Sequence, residues 1–190
     1  MPLSVLTGPG TPKPRVAEPA LGDRPDFEAV YEGYFDFVWR SLRRLGVPEA
    51  QLDDATQDVF LVVYRRLDEF EARSSLKTWL FGIVLRVTST LRRTARRKPT
   101  EPLAEEPVAR GSAPEALTES REAARLVQSL LDELDDDRRA VFVLAELEQM
   151  TAPEISTALS VNLNTVYSRL RAARRDFDAA LARRRRRSPE

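Results

Sequence analysis

Thr165, Tyr167, Ser168, Arg169, Arg171, Arg174 and Arg175 form the outward face of a helix near the C-terminus, with small polar donors first and guanidiniums after them. The chemistry such a face offers is recognition: hydroxyls and the planar arginine fork donate hydrogen bonds to phosphate oxygens and base edges. A bidentate contact from Arg to guanine discriminates between bases by about 1–3 kcal/mol. Read without its surroundings, the same face is an arginine-rich solvated helix. Bond-making chemistry has less to work with. The 190 residues contain no Cys and no His, which removes disulfides, the usual zinc sites and nucleophiles activated by imidazole. Carboxylates remain, but no acidic pair is accompanied by strands, an aromatic cleft or a ligand loop with glycine. No catalytic residue, metal ligand, cofactor or small-molecule substrate is therefore expected.

The arginine face needs a helix held at a fixed angle, and the preceding residues provide for one. Thr151-Ala152-Pro153-Glu154 reads as a capping box with Pro in the first turn, opening a short helix to Leu159. Residues 160 to 163 break the pattern. Asn164 is then placed to cap a last helix with Val166, Leu170, Ala173, Phe177 and Leu181 inward. Two short helices so connected are a helix-turn-helix, whose second helix enters the major groove by its N-terminal end. Arg183 to Arg187 reads as a separate basic tail, residues 184–190, adding nonspecific phosphate attraction.

Upstream, Phe27, Val30, Tyr31, Tyr34, Val38, Leu42 and Leu45 recur at helical spacing, between an Asp26 cap and a stop at Gly46 and Pro48. A second helix runs from Glu49 to Leu67 with Leu52, Ala55, Val59, Val62, Val63 and Leu67 inward. Ser74 or Ser75 caps a third, Leu76 to Arg97, with Leu76, Trp79, Leu80, Ile83, Val84, Val87 and Leu91 inward. Residues 98–118 are rich in Pro and Glu and read as an acidic tether. Beyond it, Leu126 to Leu134 and Val141 to Leu147 supply two more helices. No stretch sustains period-two alternation. The fold class is all-α: two small helical bundles, 26–97 and 119–183, joined by a flexible linker, the second ending in the helix-turn-helix. Residues 1–25 read as a disordered tail, with no basic segment leading into an apolar core as a secretory signal requires. The longest charge-free apolar stretch of the folded part, Thr78 to Leu85, is too short to span a bilayer, so a cytoplasmic protein without membrane contact is expected.

The net charge of zero conceals segregation. Residues 27–72 hold five basic and ten acidic side chains, whereas 73–98 hold eight basic and none acidic. The alternation repeats, with four basic and nine acidic in 121–160, then nine basic and two acidic in 161–187. Two basic blocks suggest two contacts with a polyanion. The second helix offers something else: Asp54, Gln57, Asp58 and Leu61, spaced i, i+3, i+4, i+7, make a polar and apolar stripe suited to a partner helix. On periodicity alone that stripe reads equally as a solvated acidic face. A stand-alone helix-turn-helix regulator is the competing reading of the whole.

Asp53 to Phe60 and the following Tyr64-Arg65-Arg66-Leu67 resemble region two of the extracytoplasmic-function sigma factors, small members of the sigma-70 superfamily of bacterial RNA polymerase subunits. Phe70 through Trp79-Leu80-Phe81-Gly82-Ile83 is similar to that family's promoter-melting element. Val141-Phe142, Glu154-Ile155, Thr165-Val166 and Ser168-Arg169-Leu170 resemble its region four. The resemblance covers residues 27 to about 183. It implies a dissociable initiation subunit whose partners are core polymerase, through the clamp helices of the largest subunit and the flap, and promoter DNA. Asp54, Gln57, Asp58 and Leu61 would meet the clamp. Phe70, Arg73, Ser74 and Ser75 would capture a flipped base of the minus-ten element, and Lys77, Arg86, Arg92, Arg93, Arg96 and Arg97 would hold strand phosphates. Asn164, Thr165, Tyr167, Ser168, Arg169, Arg171 and Arg174 would read the minus-thirty-five element as duplex. Family members are often held inactive by an anti-sigma protein wedged between the two domains. This chain has Glu71-Ala72-Arg73 where the family often has Arg-Gly-Asp, Arg86 for a common Asn, Asn164 for a common Gly and Tyr167 for a frequently basic residue. The resemblance thus implies the role and not the promoter sequence.

Overall fold

The computed structural model describes residues 25–97 and 115–187; most of the expected N-terminal tail, most of the expected tether and the last three residues lie outside them. Among the described residues there are seven α-helices and no strand.

Helix α1, Phe27–Arg44, is capped by Asp26, whose carboxylate accepts from the Ala29 N–H at 3.3 Å. It is stopped by Gly46 at φ +86°, a left-handed conformation that favours glycine. A Cβ there would also strike the Arg139 guanidinium. The second helix opens with a 3-10 turn, Glu49–Gln51, and becomes α2 at Leu52–Arg66. Helix α3, Leu76–Arg97, is capped by Ser75 rather than Ser74: the Ser75 hydroxyl accepts from the Thr78 N–H at 3.1 Å. Leu42, Val59, Val63, Leu80, Phe81 and Val84 close the core of these three helices. Tyr31, expected inward, sits at the rim and is 42% exposed, its ring against Phe60 at 4.7 Å. Phe81 is fully buried although the expected stripe omits it, because α3 packs on α1 and α2 and also on α6 of the second half, which widens its buried face.

Helix α4, Glu115–Leu131, starts inside the stretch expected to be tether, which therefore ends by Pro114 and not at residue 118. Acidic Glu115 and Glu119 suit a helix N-terminus as well as they suit a tether. Helix α5, Asp136–Phe142, begins ahead of the expected Val141 because Asp135 caps it, accepting from the Arg138 N–H at 2.9 Å. It continues as a π-helical turn, Val143–Leu147. Helix α6, Ala152–Leu159, has the expected capping box: the Thr151 N–H and hydroxyl both donate to Glu154 at 2.7 Å. Ser160, at φ +53° and ψ +41°, closes it in the left-handed region.

Helix α7, Leu163–Arg187, starts one residue ahead of the expected cap. Asn162, not Asn164, caps it, its side-chain oxygen accepting from the Thr165 N–H at 2.8 Å and hydroxyl at 2.9 Å. Nor does the domain end at Arg183 in a separate tail. The helix continues to Arg187, Arg183 pairs with Glu133, and Arg184 donates to the Ser129 hydroxyl of α4 at 2.8 Å. Phe142 and Phe177 stack at 4.5 Å in the core of this half. The two halves pack against each other through α3 and α6, with Gly82 facing the Ala158 carbonyl.

Candidate nucleic-acid interface

Helix α2 separates its two faces cleanly. Leu52, Ala55, Thr56, Val59, Phe60 and Val63 are buried, and Asp54, Gln57, Asp58 and Leu61 all stand exposed on the opposite side, Leu61 at 47%. Tyr64, three residues on and 68% exposed, extends the stripe; its i+3 spacing from Leu61 was the signal for it. An exposed apolar pair beside carboxylates is costly to leave in water and suits a partner surface.

The expected base-capturing segment is only partly open. Phe70 is half-buried with its ring against Trp79 at 5.5 Å, Ser75 is occupied as the α3 cap, and Ser74 is half-buried. Arg73 is exposed and pairs with Glu71 at 2.5 Å. Ala72 holds φ +52°, a conformation costly for a residue with a Cβ. Along α3, Arg86 and Arg93 are exposed, whereas Lys77 and Arg92 are engaged. The Arg96 side chain lies outside the described ones.

On α7, Asn164, Tyr167, Ser168 and Arg171 are exposed and Thr165 is half-buried. Arg169 pairs with Asp137 at 2.5 Å and Arg174 with Glu146 at 2.6 Å. Both remain partly open, with side chains 28% and 56% exposed, so these are surface pairs of about 0–1 kcal/mol that a phosphate can displace.

Sequence spacing gave no sign of a network between the halves. Glu148, just beyond the π-helical turn, has only 5% of its side chain exposed. Arg44 of α1 meets its carboxylate at 2.5 Å, and Lys77 of α3 meets it at 3.1 Å while donating to the Glu148 carbonyl at 2.8 Å. Burial pushes the Arg44 guanidinium below its ordinary range, against the opposing pull of Glu148. Arg92 donates to the Leu45 carbonyl and pairs with Asp136 at 2.8 Å. Arg139, also buried, pairs with Asp132 at 3.3 Å and leaves its Nε without a partner.

The family pattern of Sigma-70 region 2 matches residues 30–98, spanning α1 to α3, and that of Sigma-70 region 4 matches residues 124–177, spanning α4 to α7. The chain is 31% identical to the RNA polymerase sigma factor CnrH of Cupriavidus metallidurans over 174 residues, which covers 87% of this chain and 91% of that one. This chain is a sigma factor. It belongs to the extracytoplasmic-function group of the sigma-70 family, whose members are non-enzymatic factors for transcription initiation, and its partners are RNA polymerase core and promoter DNA. The sigma factor is also 29% identical to the sigma-E factor of Escherichia coli, covering 83% of this chain and 87% of that one. Its fold is similar to the solved structure of CnrH in complex with the cytosolic domain of CnrY, at a TM-score of 0.63 and 27% identity over 85% of this chain and 90% of that one. In this sigma factor no described helix is long and apolar enough to cross a membrane.

Proposed function

We propose that the outward face of α2, with Asp54, Gln57, Asp58 and Leu61, is where this sigma factor grips the clamp helices of core polymerase. On the same reading α7 enters the major groove of the minus-thirty-five element, and the loop before α3 with the basic side of that helix handles the opened minus-ten strand. The supporting observation is the contrast of faces: the α2 stripe is exposed, acidic and apolar, whereas Arg86, Arg93 and Arg171 stand exposed on α3 and α7. Carboxylates repel phosphate and guanidiniums attract it, so the α2 stripe suits protein and the other two suit nucleic acid. Chemistry belongs to the polymerase, so the protein itself is not an enzyme, and it acts in the cytoplasm where polymerase and promoter are. We further propose that a protein partner holds it in check, as the CnrY domain accompanies CnrH; a pull-down from native cells that returned polymerase subunits alone would count against this. The central assignment is tested by run-off transcription with core polymerase, wild type against Asp58→Arg. Transcript from the wild type and its loss in the variant are expected; equal transcript from both would remove the assigned face.

A further inference from the structure

The cations assigned to DNA are partly occupied by the protein's own carboxylates, and the pairings of Lys77 and Arg92 run between the halves, whereas that of Arg169 lies within the second half. Lys77 of α3 is held by buried Glu148, and Arg92 of α3 by Asp136. The next residue, Asp137, holds Arg169 of α7. One acidic turn at the start of α5 thus takes one cation from each helix assigned to DNA. Between them lies a cleft of about 340 Å³ lined by Ser89, Arg92 and Arg93 on one wall and by Asp136, Asp137 and Arg169 on the other. A strand laid along the basic side of α3 would bring its phosphates against those carboxylates.

We propose that Glu148, Asp136 and Asp137 act as an internal substitute for DNA: Glu148 and Asp136 latch the two halves of the free sigma factor in a closed state that masks α3, and Asp137 covers Arg169 of α7. The inference rests on the reading of α3 and α7 given above. Glu148 is the main catch, because a buried carboxylate with two cations is strongly destabilised when one partner is removed, whereas the exposed Asp136 contributes little. DNA and closure compete for the same side chains, so by linkage whatever opens the halves raises DNA affinity, and DNA opens the halves in turn.

The chain has no Cys, so single cysteines at exposed Glu49 and Asp178 can carry a fluorescent pair that reports the separation of the halves. Two latch variants are informative, Glu148→Gln and Arg44→Gln, since neither residue is assigned to core polymerase or DNA. A third, Asp136→Asn, probes the weaker catch. The probe is a labelled single strand of mixed sequence, which phosphate contacts bind without sequence preference. In the full chain, high energy transfer is expected for the wild type, lower transfer for Glu148→Gln and Arg44→Gln, and tighter binding of the strand by these two on the order of tenfold. Adding the strand to the wild type should also lower transfer. Circular dichroism identifies any variant that fails to fold, and the other then decides. Unchanged transfer and unchanged affinity in a folded latch variant would overturn the proposal. Run-off activity of the wild type separates this failure from that of the functional reading: transcript with an unaltered latch variant sinks the latch alone, whereas no transcript sinks the functional reading on which the latch rests.

Discussion

The α2 face and the basic faces of α3 and α7 are both solvent-facing helix surfaces with charge, yet the protein treats them differently. Asp54, Gln57, Asp58 and Leu61 have no internal side-chain partner among the described residues, while Lys77, Arg92, Arg169 and Arg174 each pair with a carboxylate of this same chain. The α2 stripe is ready as it stands. The paired cations become fully available only when the protein's own anions are displaced, so on the proposed assignment the polymerase face needs no rearrangement and DNA contact at those cations does.

The sharpest way to break this contrast is to reverse a charge on the open face. Asp58→Arg should weaken binding to core polymerase on the order of a hundredfold, measured by fluorescence anisotropy, while leaving the melting temperature unchanged, because placing like charge at an interface costs several kcal/mol and an exposed unpaired residue contributes little to folding. Next in size is the difference between free and paired cations on α7. Arg171→Ala should cost about 1–3 kcal/mol of duplex affinity if it contacts a base. Arg174→Ala should cost less in a binding titration, because the wild-type side chain must first give up Glu146.

A smaller effect concerns α6, the helix through which the second half backs onto α3. Hydrogen bonds from the Thr151 hydroxyl and then the Thr151 N–H hold the Glu154 carboxyl below the usual carboxylate range. A group whose folded pKa is depressed stabilises the fold above its unfolded value, about 4.3 for Glu, and loses that contribution as pH falls through the folded pKa. Glu154→Gln, which can still accept from the Thr151 N–H, should therefore lower stability at neutral pH by only a few tenths of a kcal/mol, roughly the size of an exposed charge contact, and flatten the acid limb of a stability curve below pH about 4. A comparably small change, of opposite sign, is expected at Ala72. Relief of its φ of +52° in Ala72→Gly should raise stability by about 1 kcal/mol in chemical denaturation, less the entropy glycine loses on folding.

Much of the scaffold was readable because helical burial imposes a 3.6-residue period, and Asp26, Ser75 and Thr151 mark helix starts chemically. The start of the last helix and its cap were both misplaced by two residues, since Asn162 and Asn164 offer the same chemistry and only backbone geometry chooses between them. Arg183 and Arg184 read as tail because a run of like charge has no periodic signature, whereas Glu133 and Ser129 give them partners across the fold. The α2 stripe was visible from spacing. Glu148, buried between the two halves, was not, because a buried acid is spelled like a solvated one, and its partners Arg44 and Lys77 lie 104 and 71 residues away.

The most direct test of the division between faces is photocrosslinking in a complete complex of core polymerase, this sigma factor and promoter DNA, with a photoreactive residue at Gln57 in one preparation and at Arg171 in another. Position 57 should label polymerase subunits and no DNA, and position 171 should label DNA. DNA adducts from position 57, or polymerase adducts without DNA from position 171, would contradict the account.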